Sequence, residues 1–298
     1  MKIGVSIVPT NFYEDIEIIS KLVEIGLKFI SLSDYHKAKD PFQLLEKISQ
    51  TFMGLKIGTA VTNFLIREPE FVADFFLRLY KESRNEFFIG IGAGDWFLLD
   101  IRNISAKKAI EKLKEGIFKI KDIFEKENAK IKIYVGAQGT STLKLIEMVD
   151  GLIINLASYS DLKKALDYLK ENKRKEIFAI AQTSLNINEA RKSATIIYAG
   201  LSDSSLKLYG FDKSKRDKIR ELLKQGELEK ARAILNEEEV RRVTLCGSNE
   251  EIFNRIKKIL ELGIDGFIMG LPMSKEKYEV IKFLEEYYLH FSHSFLKF

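Results

Sequence analysis

Three short stretches of the chain carry residue types that can hold or act on a ligand. The first is Gly58-Thr59-Ala60-Val61-Thr62-Asn63, with Arg67 close behind. Its side chains are small or polar, so a flat molecule can lie against the backbone. An ordinary helix entry with Asn63 as a turn residue has the same composition. The second is Ile89-Gly90-Ile91-Gly92-Ala93-Gly94-Asp95-Trp96. Glycines at alternate positions strip one face of side chains, and Asp95 follows as a carboxylate at a buried strand end. A tight corner with Asp95 capping a helix would read the same way. The spacing is not G-x-G-x-x-G and no P-loop follows. The third is Tyr134-Val135-Gly136-Ala137-Gln138-Gly139-Thr140-Ser141. Backbone amides, an expected helix start and two hydroxyls suit a phosphate or another anion. Thr140 or Ser141 as an ordinary N-cap accounts for the same residues.

Smaller polar groups surround these three. Asp34-Tyr35-His36, Asn155, Gln182-Thr183 and Gly270-Leu271-Pro272 each follow an apolar run and suit a pocket for a polar ring system. His36 can act as an acid near neutral pH, although a lone loop histidine is more often a surface residue. His290 and His293 lie in a tail with Tyr287, Tyr288, Phe291, Phe295 and Phe298. Two histidines make a poor metal site, and no metal is expected. An aromatic tail is suited to docking on its own domain or on a second subunit. No Ser-His-Asp order, H-E-x-x-H motif or paired carboxylate motif is present. With so few acids and bases, a bound cofactor is the better carrier of the chemistry.

These positions need a scaffold, and the sequence supplies one. Short apolar runs begin at Ile3, Phe29, Lys56, Phe87, Ile131, Gly151, Ile177 and Gly266, and amphipathic stretches lie between them. That alternation describes βαβ units, and about eight strands close a TIM barrel. The expected helices include 13–25, 69–81, 105–124, 141–149, 159–171 and 249–262. Pro69 at a first turn and Asp161 or Glu250 near a start are good initiation signals. The long gap before Gly266 holds helical segments 213–225 and 227–242, so a helical insertion at about 183–264 is expected between strands seven and eight. The whole of 1–298 is expected to be one α/β domain. A doubly wound open sheet with a helical appendix is the alternative. In either arrangement the ends of the strands are where a site belongs.

Composition narrows the function further. The chain has 298 residues, 46% hydrophobic and 31% charged, which suits a globular protein with a full core. Its net charge of +5, from 48 basic and 43 acidic residues, is too small to argue for nucleic acid. Cys246 is the single cysteine and cannot form an internal disulfide, which favours a reducing, cytoplasmic setting. No segment approaches the roughly 18 uncharged apolar residues of a membrane span, and no signal peptide is evident.

Gly58 to Asn63 with Arg67-Glu68-Pro69, then Ile89 to Asp95, then Ile133 to Gly139 followed by Asp150-Gly151 and Ile154-Asn155, resemble successive signatures of the bacterial-luciferase-like superfamily. Within it the chain most resembles the coenzyme F420-dependent methylenetetrahydromethanopterin reductases. The similarity runs from Met1 to Gly4 through Cys246-Gly247-Ser248 to Leu262-Gly263. The resemblance implies a TIM barrel with an insertion before the last strand and a deazaflavin lying across the barrel mouth. It implies that the ring rests on a bulge in strand three that often contains a non-prolyl cis peptide, here near Ala60-Val61. The coenzyme's phosphate side would meet Gly136, Ala137, Gln138 and Gly139. Asp34, Thr62, Asn63, Gly92, Gly94 and Asn155 would complete the cofactor site.

The implied reaction is hydride transfer from reduced F420 to a methylene-tetrahydropterin, with Asp95 matching the family's acidic residue near the pterin. Two positions depart from the pattern. Ser6 stands where the methanogen reductases carry a glutamate thought to assist protonation, and Tyr35 follows Asp34 where histidine is usual. Loss of the glutamate removes a candidate general acid, so the substrate is less firmly indicated than the cofactor. An FMN-dependent luciferase-like monooxygenase and a non-catalytic relative are the competing functions. A homodimer or higher homo-oligomer is expected.

Overall fold

In the computed structural model, which describes residues 2–36, 38–169 and 175–293 with side chains as far as Tyr288, nine parallel strands form one sheet that closes on itself. The barrel wall runs β1 (Lys2–Ile7), β2 (Phe29–Leu32), β3 (Lys56–Asn63), β4 (Glu86–Gly92), β5 (Lys132–Ala137), β6 (Gly151–Asn155), β7 (Glu176–Ser184) and β9 (Gly266–Gly270). β9 pairs with both β7 and β1, which closes the ring. The two-residue β8 (Leu245–Cys246) lies beside Thr183 and Ser184 at the end of β7. This is the expected TIM barrel, and the open-sheet alternative is excluded by the closure.

The helices are α1 (Phe12–Glu24), α2 (Pro41–Thr51), α3 (Pro69–Glu82), α4 (Trp96–Ile101), α5 (Ala106–Lys126), α6 (Thr140–Leu143) and α7 (Tyr159–Leu169). After β7 come α8 (Ile187–Gly200), α9 (Asp203–Tyr209), α10 (Lys213–Lys224), α11 (Leu228–Ala233), α12 (Glu237–Val243), α13 (Asn249–Leu260) and α14 (Lys277–His293). Local chemistry starts several of them. Pro69 takes the first turn of α3, and Asp40 caps α2 by accepting from the Phe42 amide at 2.9 Å. The expected single helix over 227–242 is broken, because Asn236 and Glu239 form a capping box that begins α12 afresh. Glu171, the expected end of the seventh helix, lies outside the described residues. So do the side chains of His290, Phe291 and His293, and Phe295 and Phe298 entirely.

Two cores result from strands buried on both faces. The larger lies between the barrel wall and the helices. The smaller fills the barrel and contains Phe29, Ala60, Phe88, Tyr134, Ile153, Phe178 and Ile268. Side chains alternate along a strand, so Phe88, Gly90 and Gly92 share the inner face of β4, as Tyr134 and Gly136 share that of β5. The interior therefore grades from aromatic at its base to bare backbone at its mouth. Phe29 meets Phe88 and Phe178 edge to face at 5.2 and 5.1 Å, closing the base.

Ion pairs pin the segment between β7 and β9 to the barrel. Arg242 on α12 donates two 2.9 Å hydrogen bonds to the buried Asp161 of α7. Lys224 on α10 reaches Asp100 of α4 at 2.7 Å, and Arg220 lies over the Trp96 ring at 5.4 Å. The first residues of the aromatic tail dock on the chain's own barrel. Tyr287 packs 5.3 Å from Phe253 of α13, and the Tyr288 hydroxyl donates to the Gly26 carbonyl at 3.1 Å. Among the described residues no helix is long and apolar enough to cross a membrane, and no group of three or more His, Cys, Asp or Glu is placed to hold a metal ion.

Candidate active site

The C-terminal ends of the strands bring the sequence-selected residues to one pole. β3 is longer than a run ending at Val61, because Thr62 and Asn63 still pair with Ile91 and Gly92 of β4. Its register shifts between Thr59 and Thr62, and the Ala60–Val61 peptide within that bulge is cis. The bulge aims the Ala60 carbonyl inward, where the Ser33 hydroxyl donates to it at 3.1 Å. Ser33 has one proton to give, so the Ser6 hydroxyl, 3.1 Å away, must be the donor in the Ser6–Ser33 contact. Ser6 is buried, and its hydrogen is committed to a relay that ends on the bulge.

Asp34 braces the same bulge from its other side. Its carboxylate, 4% exposed, accepts from Thr62 Oγ1 at 2.7 Å and from Arg67 Nε and Nη2 at 3.0 and 3.1 Å. Arg67 also bridges to Asp40 at 3.0 Å and stacks 4.7 Å from the Phe42 ring. The main chain joins in, with the Asp34 amide donating to Val61 O at 3.3 Å. These bonds turn Asp34 toward protein partners, so its effect on a ligand passes through Thr62 and Val61. Asn63 is likewise occupied, its Oδ1 accepting from the Leu65 amide at 3.1 Å.

The bare faces of β4 and β5 have a resident occupant. A Cβ on Gly92 would lie 2.9 Å from Val61 Cγ2, and one on Gly136 would lie 3.0 Å from Val61 Cγ1. The two glycines let the Val61 side chain project across the mouth, and the half-buried Val61 forms the surface on which a ring can rest. Gly94, at φ +92°, then turns the chain outward. That turn corrects the expectation of a buried carboxylate. Asp95 is 44% exposed and caps α4, accepting from the Leu98 amide at 2.9 Å. Its other oxygen faces His36 Nδ1 at 3.6 Å, and the His36 ring stacks on Phe97 with centroids 5.5 Å apart. Burial, together with the Asp95 charge, pushes the Tyr35 phenol above its ordinary value. Tyr35 is thus a neutral hydrogen-bond donor at physiological pH.

The end of β5 differs from expectation in its helix. A helix over 141–149 capped by Thr140 or Ser141 is replaced by the four-residue α6, capped by Gly139 and followed by a 3-10 turn over Lys144–Met148. Thr142 closes the start of α6, its hydroxyl accepting from the Gln138 amide at 3.1 Å and donating to the Gly139 carbonyl at 3.0 Å. So short a helix has little dipole, and any anion there must rely on local amides and hydroxyls. A Cβ on Gly139 would fall 2.4 to 2.8 Å from the hydroxyls of Ser202, Ser204 and Ser205, which cluster at the start of α9. Gln138 Nε2 donates to the Asn155 carbonyl at 3.2 Å and locks the ends of β5 and β6 together. Sequence reasoning did not single out Ser33, Asp40 or the three serines. Asp40 and Ser202 are locally readable only as helix N-caps, and the contacts that bring all of these residues to the site form only when distant segments meet.

The chain is thus a closed TIM barrel with a bulged third strand and a helical insertion before the last strand. Over nearly its whole length the chain is similar to the 5,10-methylenetetrahydromethanopterin reductase of Archaeoglobus fulgidus, with 24% identity across 95% of this chain and 97% of the relative. Among solved structures, the coenzyme F420-dependent tetrahydromethanopterin reductase from Methanopyrus kandleri superposes with a TM-score of 0.77 at 18% identity, covering 96% of this chain and 97% of the other. An F420-dependent secondary alcohol dehydrogenase bound to an F420-acetone adduct does so at 0.71 and 16% identity, with 96% and 97% covered. No family model matches the chain.

Proposed function

We propose that the protein is an F420-dependent oxidoreductase that transfers a hydride between reduced deazaflavin and a methylene-tetrahydropterin. The observation that carries this is the end-to-end similarity to the Archaeoglobus reductase, 24% identical over 95% of the chain. The residues at the mouth fit the cofactor. A flat ring needs an apolar surface to rest on, and the Val61 side chain seated between Gly92 and Gly136 offers one. The serines at the start of α9 fill the space beside Gly139, so an anion would sit outside that contact, on the turn from Gly136 to Gly139.

Coenzyme F420, when bound, supplies the hydride, and the chain's own residues bind, orient and hold protons. Ala60 to Asn63 are the platform, held in position by Ser33 and Asp34. Gly136 to Gly139, a turn packed against the serines of α9, would meet the anionic end. Gly94 carries the chain to Asp95, and Asn155 supplies a polar group beside Gln138. A serine hydroxyl does not titrate near neutral pH, and that of Ser6 already donates to Ser33, so Ser6 acts as a positioning residue. Asp95, His36 and Tyr35 stand together beyond the ends of β2 and β4 as the polar groups available to a substrate there. Precise orientation of two rings is worth far more to a hydride transfer than any one of these groups.

The test is a single-turnover assay of purified protein with reduced F420 and methylene-tetrahydromethanopterin. Deazaflavin oxidation dependent on the pterin supports the proposal. Binding of F420 with no turnover on any methylene-tetrahydropterin would move the substrate elsewhere, and preferential binding of FMN would favour a monooxygenase. We also propose a homo-oligomer, which sedimentation of the full chain would check.

A further inference from the structure

A cavity of about 450 Å³ opens at the opposite pole of the barrel, among the residues that precede β1 to β4. Its walls bring together Lys2, Lys28, Lys56 and Arg84, with Glu86 as the one acid and Tyr288 at the rim. The volume is within the range of small-molecule sites, roughly 300 to 1,000 Å³.

The charges in it are unbalanced. Lys56 is 5% exposed and its ammonium is paired, with Glu86 at 3.3 Å and the Tyr134 hydroxyl at 2.9 Å. It also lies 5.2 to 5.7 Å from the centroids of Phe29, Phe88, Tyr134 and Phe178, so its place on the barrel axis is fixed. Tyr134 in turn donates to Glu176, which Lys132 pairs at 2.9 Å. Glu86 is therefore engaged by Lys56. Among the described residues, Lys2, Lys28 and Arg84 have no carboxylate within ion-pair distance. Three exposed cations without a carboxylate partner thus line one concave surface from three separate segments. Like charges held together repel, and this arrangement is stabilised when an anion enters.

We propose that this basal cavity binds a small multivalent oxyanion of the phosphate or pyrophosphate class, gripped by Lys2, Lys28 and Arg84 above the Lys56 floor. Arg84 offers a planar fork and the lysines act as point charges, a combination suited to several oxygens of one group. The apolar walls of Ile3, Phe29 and Leu55 leave room for an organic portion attached to it. The site is separated from the mouth by the aromatic layer inside the barrel, so it is independent of the proposed cofactor grip at Gly136 to Gly139.

The experiment is a calorimetric titration of the full chain with pyrophosphate, repeated with inorganic phosphate and at raised salt. The same titration is made on a Lys28→Glu, Arg84→Glu double variant, whose substituted side chains are exposed and outside both cores. Saturable binding is expected in the unmodified chain, weakening with salt and about tenfold or more weaker in the double variant. F420 affinity should be the same in both proteins, which separates this site from the mouth. No saturable binding of either anion, or equal binding by the double variant, would overturn the proposal.

Discussion

The Ser33 hydroxyl donates to the Ala60 carbonyl at 3.1 Å and thereby ties the end of β2 to the bulge in β3. Ser6 stands behind it on β1, so three neighbouring strands share one chain of hydroxyls that terminates on the cis Ala60–Val61 peptide. At the position where the resemblance implies a glutamate, Ser6 provides a brace.

Ser33→Ala should therefore loosen the platform more than it weakens the fold. One hydrogen bond is worth about 1 kcal/mol, so a modest fall in melting temperature is expected. Affinity for F420 should fall by about fivefold if the whole of that loss reaches the ligand. Ser6→Ala should do less, because it leaves the Ser33 to Ala60 bond intact. Comparing dissociation constants with kcat decides the matter, since a positioning role moves the former.

Asp34→Asn tests the second brace. The change keeps the shape but leaves Arg67 with one carboxylate in place of two, at a site where Asp34 is almost wholly buried. A stability loss of about 2 kcal/mol is expected from urea unfolding, together with weaker cofactor binding. Unchanged stability would mean that Asp40 alone satisfies Arg67.

Gly92→Ala should destabilise by about 1 to 3 kcal/mol, because its methyl group would meet Val61 Cγ2 at 2.9 Å. In a Val61→Ala background the same change should cost clearly less. The double-mutant cycle would then show a coupling of about 1 kcal/mol or more. Additive effects would show that Val61 does not occupy the space those glycines leave.

Acid stability has an identifiable contributor at the base. Burial acts to raise the Glu176 carboxyl, but the Tyr134 and Lys132 hydrogen bonds and the Lys56 charge outweigh it and hold the group below its ordinary value of 4.5. A depressed folded-state value stabilises the protein above 4.5, and that contribution is lost as pH falls through the folded value. Glu176→Gln should thus show a shallower decline of melting temperature with pH below 4.5 than the unmodified chain. Parallel curves would contradict the assignment.

Much of the scaffold was legible because its signals are local. The alternation of apolar runs with amphipathic helices gave the barrel, and Pro69 marked the start of α3 where the structure has it. The glycine-rich strand ends were visible too, yet their role was not. Composition could not say that Gly92 and Gly136 make room for Val61, which is remote from both in sequence. Asp95 was placed at a buried end because its neighbours are apolar, whereas the positive φ of Gly94 sends it outward. Asp40 was readable as the cap of α2, but its bracing of Arg67, like that of Ala60 by Ser33, depends on a partner 27 residues away that no spacing rule announces.

The central claim is that this barrel mouth holds a deazaflavin. The most direct measurement is a fluorescence titration of the purified protein with coenzyme F420 and, separately, with FMN. Saturable binding of F420, with FMN binding far weaker, is the predicted result. Preferential binding of FMN, or failure to bind F420 at all, would contradict it.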